Sequence, residues 1–215
     1  MKKVLTLSLL VLVLCQCSPV QKNRRPPTPY DQYPEKFAKE YIIQSAKKLV
    51  DYVPDHEFDP SIKPAFGEEY YSLLEEAWAV PVVDLGGIGE DEWLYFFLSG
   101  NGGDENADHN KTILEATMID DWGSYVRMEY LGSVHDIVMH FENDDWVISN
   151  FDGTRDELLR YIRSQRENLR SIEWDSLTDD LLNETKDYMS EDEVLAWIGD
   201  FKSRVDAYFA KYPDR

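Results

Sequence analysis

The sequence predicts an α+β fold: early helices packed on one face of a curved antiparallel β-meander, an α+β cone, followed by a C-terminal helical extension. Three observations predict it. Apolar residues recur at spacings of three and four between Pro34 and Ala79. Four alternating segments joined by short turns lie between Thr112 and Phe151. Beyond Thr154 the period returns to that of a helix, and two capping-box patterns mark helix starts.

The chain opens with residues 1–17, which read as an export signal. Lys2 and Lys3 precede the apolar run Val4 to Leu14, which is shorter than the roughly 20 residues that span a bilayer but suits a secretory h-region. Cys15 and Cys17, the only cysteines, end this run. A disulfide-stapled exported protein carries its cysteines in the folded part. The placement instead resembles the lipid-attachment site of bacterial lipoproteins, which favour Leu at −3 and a small residue at −1. Cys17 has Leu14 at −3 and Gln16 at −1; Cys15 has Leu12 and Leu14. The expected lipidated residue is Cys17, with Cys15 the alternative and plain secretion the other outcome. Residues 18–33, rich in proline and bearing basic residues, read as an extended tether between membrane and domain.

The folded part begins at Pro34. Ala38, Ile42, Ala46, Leu49 and Val53 form one apolar stripe, so a helix is expected from Pro34 to Val53, with Asp31 as N-cap and Pro54 as its stop. A second is expected from Phe66 to Ala79, burying Tyr70, Leu73, Leu74, Ala77 and Trp78. Gly86, Gly87 and Gly89 sit before acids and lack the full phosphate-binding spacing, so no nucleotide is expected there. Trp93 to Ser99 is a buried apolar element of either kind. The meander follows: Thr112 to Asp120, Ser124 to Leu131, a turn at Gly132 and Ser133, Val134 to Phe141, then Trp146 to Phe151. Thr154 and Glu157 make a capping box for a helix with Leu158, Leu159, Ile162 and Leu169 inside. Residues 170–215 read as a helical hairpin, with a second box at Ser190 and Glu193 and a last face of Leu195, Ile198, Phe201, Val205, Tyr208 and Phe209.

Composition narrows the function. Asp and Glu outnumber Lys and Arg by 42 to 22, giving a net charge of −20. Such a surface repels phosphates, so nucleic acid is excluded as a partner. With 43% hydrophobic residues in 215, the chain can bury one substantial core and carry an appendage.

The stretch Gly102 to Glu115 sets Asp104, Asn106, Asp108, Asn110 and Glu115 at positions 1, 3, 5, 7 and 12 of a calcium loop. His109 stands where that loop needs glycine, and the flank alternates like a strand. It reads as an Asx-rich solvated turn; Asp104, Asn106 and Asp108 are the metal candidates if a cation binds. No cofactor is expected.

The run "VRMEYLGSVHDIVMHFENDDWVISNFDG" resembles the end of an NTF2-like (cystatin-like) domain, whose tryptophan-bearing strand has the form "dgWkIddf". Asp145, Trp146, Val147, Ile148 and Phe151 carry the match. "FGEEYYSLLEEAW" and Gly100 to Asp104 resemble the DUF3828 branch, small bacterial envelope proteins of unknown function. The resemblance covers about residues 34–165, implies an NTF2-like domain over 34–169, and leaves the 170–215 extension outside the pattern. It implies a non-enzymatic envelope lipoprotein binding a protein or small ligand, and a homodimer through the sheet's outer face. Enzymes of this superfamily use an Asp with a His or Tyr inside the cone, tuned by apolar walls. Here Asp136 and His140 share one strand face, with Asp120 and Tyr130 on neighbouring elements. If Ile137, Met139 and Phe141 are the buried set, Asp136 and His140 face outward. The alternative functions are a small-molecule isomerase, dehydratase or hydrolase using that pair, and an acidic inhibitor of a basic partner.

Overall fold

A computed structural model describes residues 26–53, 60–82 and 110–213. The Gly86 loop, the Trp93–Ser99 run, Pro54, the Asp104–Asp108 candidates and both cysteines lie outside the described residues. The described chain is mixed α+β. The helices are α1 (Pro29–Gln32), α2 (Lys39–Leu49), α3 (Glu68–Ala79), α4 (Thr154–Arg170), α5 (Trp174–Thr185) and α6 (Glu191–Lys211). The strands are β1 (Thr112–Met118), β2 (Gly123–Tyr130), β3 (Ser133–Glu142) and β4 (Asp145–Phe151). They form one sheet in the order β1-β2-β3-β4, every neighbour antiparallel.

The single long helix expected over 34–53 is divided. Pro34–Phe37 is a 3-10 turn, Ala38 is extended, and α2 starts at Lys39. The cause lies in the sheet: the Trp146 indole donates to the Lys36 carbonyl at 2.7 Å. That carbonyl would serve the amide of residue 40 in an unbroken helix. Phe37 is pulled down onto Phe141 and Trp146, each ring 4.9 Å away. Ala38 is exposed, whereas Ile42, Ala46, Leu49 and Val53 are buried. Thr28, not Asp31, caps α1; Asp31 is the third-position partner of its capping box.

Two-residue turns join the central strands. The β2–β3 turn is Leu131 and Gly132, with φ of 51° and 75°, and Ser133 already pairs with Tyr130. The expected turn at Gly132 and Ser133 is therefore shifted by one. Leucine rarely adopts positive φ, at roughly 1–2 kcal/mol; burial of Leu131 to 7% exposure offsets it. In β1, a bulge between Ile113 and Glu115 rephases the strand. Ile113 and Ala116 then both pair with buried partners, Met128 and Val126, while Leu114 is 51% exposed.

The helices cover one sheet face. α2 contacts β1, β2 and β4, and α3 and α4 pack on each other and on β4. At the free edge of β4, Gly67 donates to the Ile148 carbonyl at 2.9 Å. Glu142 then accepts from the Glu68 amide at 3.3 Å, an acid at the positive end of α3. The capping box expected at Thr154 does not form. Asp152 and Gly153 both take positive φ, so Thr154 is already the first helical residue, and Asn150 Oδ1 accepts from the Arg155 amide at 3.1 Å instead. Thr154 is buried, its hydroxyl donating to the Phe151 carbonyl at 2.7 Å and bonded to Tyr70. Leu159 and Leu195, expected inside, are 36% and 46% exposed. The buried line of α6 is Val194, Ile198, Phe201, Val205, Tyr208, and Leu195 sits one residue round from it. The box at Ser190 and Glu193 forms as expected.

Candidate functional site

The inner face of the sheet is filled by side chains. Val126, Met128, Ile137, Met139, Ile148 and Phe151 are fully buried, with Phe141 and Trp146 at 3% and 2% exposure. Ser124 and His135 are the polar members of this face. His135 Nδ1 lies 2.7 Å from Asp152 Oδ2, and Nε2 lies 3.2 Å from the Tyr130 carbonyl. Both ring nitrogens are thus engaged with oxygen atoms. Asp152 also accepts from the Asp136 amide at 2.6 Å. His135 stacks on Phe151 at 5.1 Å. With both nitrogens engaged and 4% exposure, His135 bolts β4 to β3 rather than meeting a substrate.

The sequence-derived candidates do not converge. Asp136 and His140 project from the outer face of β3 and are exposed. Asp136 accepts from the Tyr125 hydroxyl at 2.6 Å and pairs with Arg127 at 3.5 Å; that bond raises the Tyr125 phenol above its ordinary value. His140 stacks on Trp122 at 6.0 Å. Asp120 Oδ1 accepts from the amides of Trp122 and Gly123 at 2.8 and 2.7 Å, which makes it the anchor of the β1–β2 turn. Tyr130 lies at the other end of the sheet, its ring under the Lys111 ammonium at 5.3 Å. Gly123 pairs with His140 and Tyr130 with Ser133, so the two ends stand roughly 24 Å apart. Among the described residues, no group of three or more His, Cys, Asp and Glu could hold a metal ion.

A different concavity emerges between the end of α3, α4 and α6. It is a groove of about 760 Å³, walled by Ala77 to Val82, by Tyr161 and by residues of α6 from Trp197 onward with Tyr212 just past its end. That volume falls within the range of small-molecule sites. Trp197, Arg204 and Lys211 line it at seven-residue intervals along α6, each step two helical turns, roughly 10.5 Å. Its rings are held in place. Trp197 stacks on buried Phe201 at 5.3 Å and 9°. Tyr208 donates to Glu76 Oε1 at 3.1 Å, and Tyr212 to the Glu75 carbonyl at 3.4 Å. Burial, then the Glu76 carboxylate, pushes the Tyr208 phenol well above its ordinary value.

Beside these rings lies a buried ion pair. Arg166 Nη1 meets Glu76 Oε1 at 2.6 Å, and Nη2 donates to the Tyr212 carbonyl at 2.6 Å. Arg166 also lies 5.7 Å over the Tyr208 and Phe209 rings. This cluster joins α3, α4 and α6, and so holds the groove's walls in register. At the mouth, Arg204 lies 3.3 Å from Asp200 and Lys211 lies 3.6 Å from Glu75. Both cations are about half exposed, so each pair contributes only about 0–1 kcal/mol. The hydrogen bond to Tyr212, with Glu75 adding to it, raises the Lys211 ammonium above its ordinary value.

The sequence pattern alone does not single out Arg204 or Lys211. The seven-residue recurrence of Trp197, Arg204 and Lys211 is the signal that marks one helix edge. Only the fold shows that this edge faces Trp78 and Tyr161. Comparisons with protein-family models, with curated proteins and with solved structures found no match to this chain.

Proposed function

We propose that this chain is a non-enzymatic lipoprotein of the bacterial cell envelope, built on an NTF2-like cone, that binds a small ligand in the groove between α3 and α6. The observation that carries the reading is a contrast between two surfaces. The inner sheet face, where enzymes of the resembling superfamily set a reactive carboxylate, is occupied here by Val126, Met128, Ile137, Met139 and Phe141. The roomy, aromatic-walled concavity lies instead where the C-terminal extension meets the domain. The four-stranded meander ending in the Trp146 strand supports the NTF2-like assignment. The tether and lipid anchor at Cys17, with Cys15 the alternative, rest on the sequence.

Two measurements test it. Mass spectrometry of the full chain expressed in a bacterium should find an acylated N-terminus at Cys17, and Cys17→Ser should release the protein from membranes; an unmodified N-terminus elsewhere refutes the anchor. A neutral apolar dye such as Nile red should bind the wild type and lose its site in Ala207→Trp, which fills the groove. Binding unaffected by that variant refutes the groove.

A second reading has its own observation. Between Glu173 and Glu193 nine exposed acids stand against one basic residue, Lys186, and Tyr188 among them is 69% exposed. This face suits a basic protein. A saturable one-to-one complex with a cationic protein, weakened by salt and lost in Tyr188→Ala, would favour the inhibitor reading. A second copy would pair on the outer sheet face, where Trp122 and Val134 are about half exposed; sedimentation tests this.

A further inference from the structure

We propose that the groove takes a long-chain carboxylate, with its alkyl body along α6 and its head at Arg204. The inference rests on the groove being the binding site and adds the chemistry of what fills it.

Charge is the first argument. The chain carries 42 acids against 22 basic residues, yet among the described residues the charged side chains lining the groove are Arg204 and Lys211, both cations. Neither Asp200 nor Glu75, their acidic neighbours, lines it. On so acidic a molecule, two cations facing one concavity among the described residues favour an anion there. Arg204 meets Asp200 through Nε, with its guanidinium 5.5 Å over the Phe201 ring. A planar guanidinium takes a carboxylate with two parallel bonds. Lys211, two turns further on, adds charge that draws the head in.

Shape is the second argument. From Trp197 to Tyr212 the wall extends roughly 22 Å along the helix. That length suits an extended chain better than a compact ring system.

The polar inventory is the third. A peptide or a sugar would bring amides or hydroxyls that need partners once buried. The groove's Tyr208 and Tyr212 hydroxyls are already given to Glu76 and to the Glu75 carbonyl. Ala77, Ala79, Val80, Pro81 and Ala207 present only hydrocarbon from their side chains. An alkyl chain asks for no hydrogen bond and gains from contact with Trp78, Tyr161 and Trp197. Because stacking on Phe201 already fixes Trp197, binding orders little that is not ordered beforehand.

The test is a titration of the full chain, followed by tryptophan fluorescence, with decanoate, decanol and decyltrimethylammonium below their micellar concentrations. Decanoate should bind roughly tenfold or more tightly than decanol, as a charge-assisted bond predicts, and the cationic amphiphile more weakly still. Arg204→Gln should remove most of that preference, weakening decanoate far more than decanol. Ala207→Trp should abolish binding of both, and Trp197→Ala, which removes an apolar contact, should weaken both; unchanged circular dichroism in either variant shows it is folded. Equal affinity for decanoate and decanol overturns the carboxylate head and leaves the groove reading standing. Nile red binding without decanoate binding does the same. Failure of every ligand and of the dye means that something else covers the groove, and both readings fall. Decanoate binding undiminished in Ala207→Trp and in Trp197→Ala places the site elsewhere and overturns both.

Discussion

Replacing Arg166 by methionine is expected to be the most damaging single change at the junction of α3, α4 and α6. Methionine keeps an apolar stem but removes the guanidinium. Two bonds of 2.6 Å are lost, one to Glu76 and one to the Tyr212 carbonyl. Glu76, whose side chain is 5% exposed, keeps only the Tyr208 hydroxyl. Breaking one side of a buried pair costs about 3–5 kcal/mol, because the remaining charge is stranded. That is a large share of the roughly 5–15 kcal/mol that holds a domain together. At a urea m-value of about 2 kcal/mol per molar, the midpoint should fall by about 1.5–2.5 M. Removing both partners, in Glu76→Met with Arg166→Met, strands no charge. The double variant should recover much of the loss. Urea unfolding of the four members of this cycle measures the coupling directly. The reasoning is refuted if Arg166→Met shifts the midpoint by less than about 0.3 M, or if the double variant is no more stable than the single.

Other expectations follow from single side chains. Ser124 is fully buried and its hydroxyl has no hydrogen-bond partner, so Ser124→Ala should raise stability by about 1 kcal/mol, read as an increased urea midpoint. Tyr70 is held above its ordinary value of 10.0 by burial. Its neutral form favours the fold fully below pH 10, and stability falls as pH rises beyond that, because the unfolded chain loses the proton first. Urea midpoints measured from pH 8 to 11 should therefore drop, and drop less steeply in Tyr70→Phe. Ser190→Ala removes an N-cap from α6 and should cost about 1 kcal/mol in thermal or urea unfolding. A change under a few tenths would mean that α6 is held by packing alone.

Much of the fold is legible from local pattern. Val126 with Met128, and Ile137 with Met139 and Phe141, announce their strands and inner faces. Each strand has one buried side, and a slip of one residue would turn every apolar chain to water. The Ser190 and Glu193 box is legible because its partners are three residues apart. The same alternation places Asp136 and His140 outward, and the structure has them exposed. Where reading by pattern went astray, a distant residue had intervened. The Trp146 indole claims the Lys36 carbonyl and splits a continuous stripe into a turn and a helix. Positive φ at Asp152 and Gly153 turns an apparent cap, Thr154, into a buried first-turn residue. The bulge before Glu115 exposes Leu114.

Helix and strand periods, two-residue turns and near-neighbour caps depend on contacts within a few positions, so the sequence alone determined the elements, their order and the inward faces of the sheet. The groove and its supports were decided by tertiary structure. Arg166 meets Glu76 across 90 positions and Tyr208 meets Glu76 across 132. No local period encodes such pairings. They exist because α6 folds back onto the end of α3, and only that packing turns Trp197, Arg204 and Lys211 from one edge of a helix into a wall.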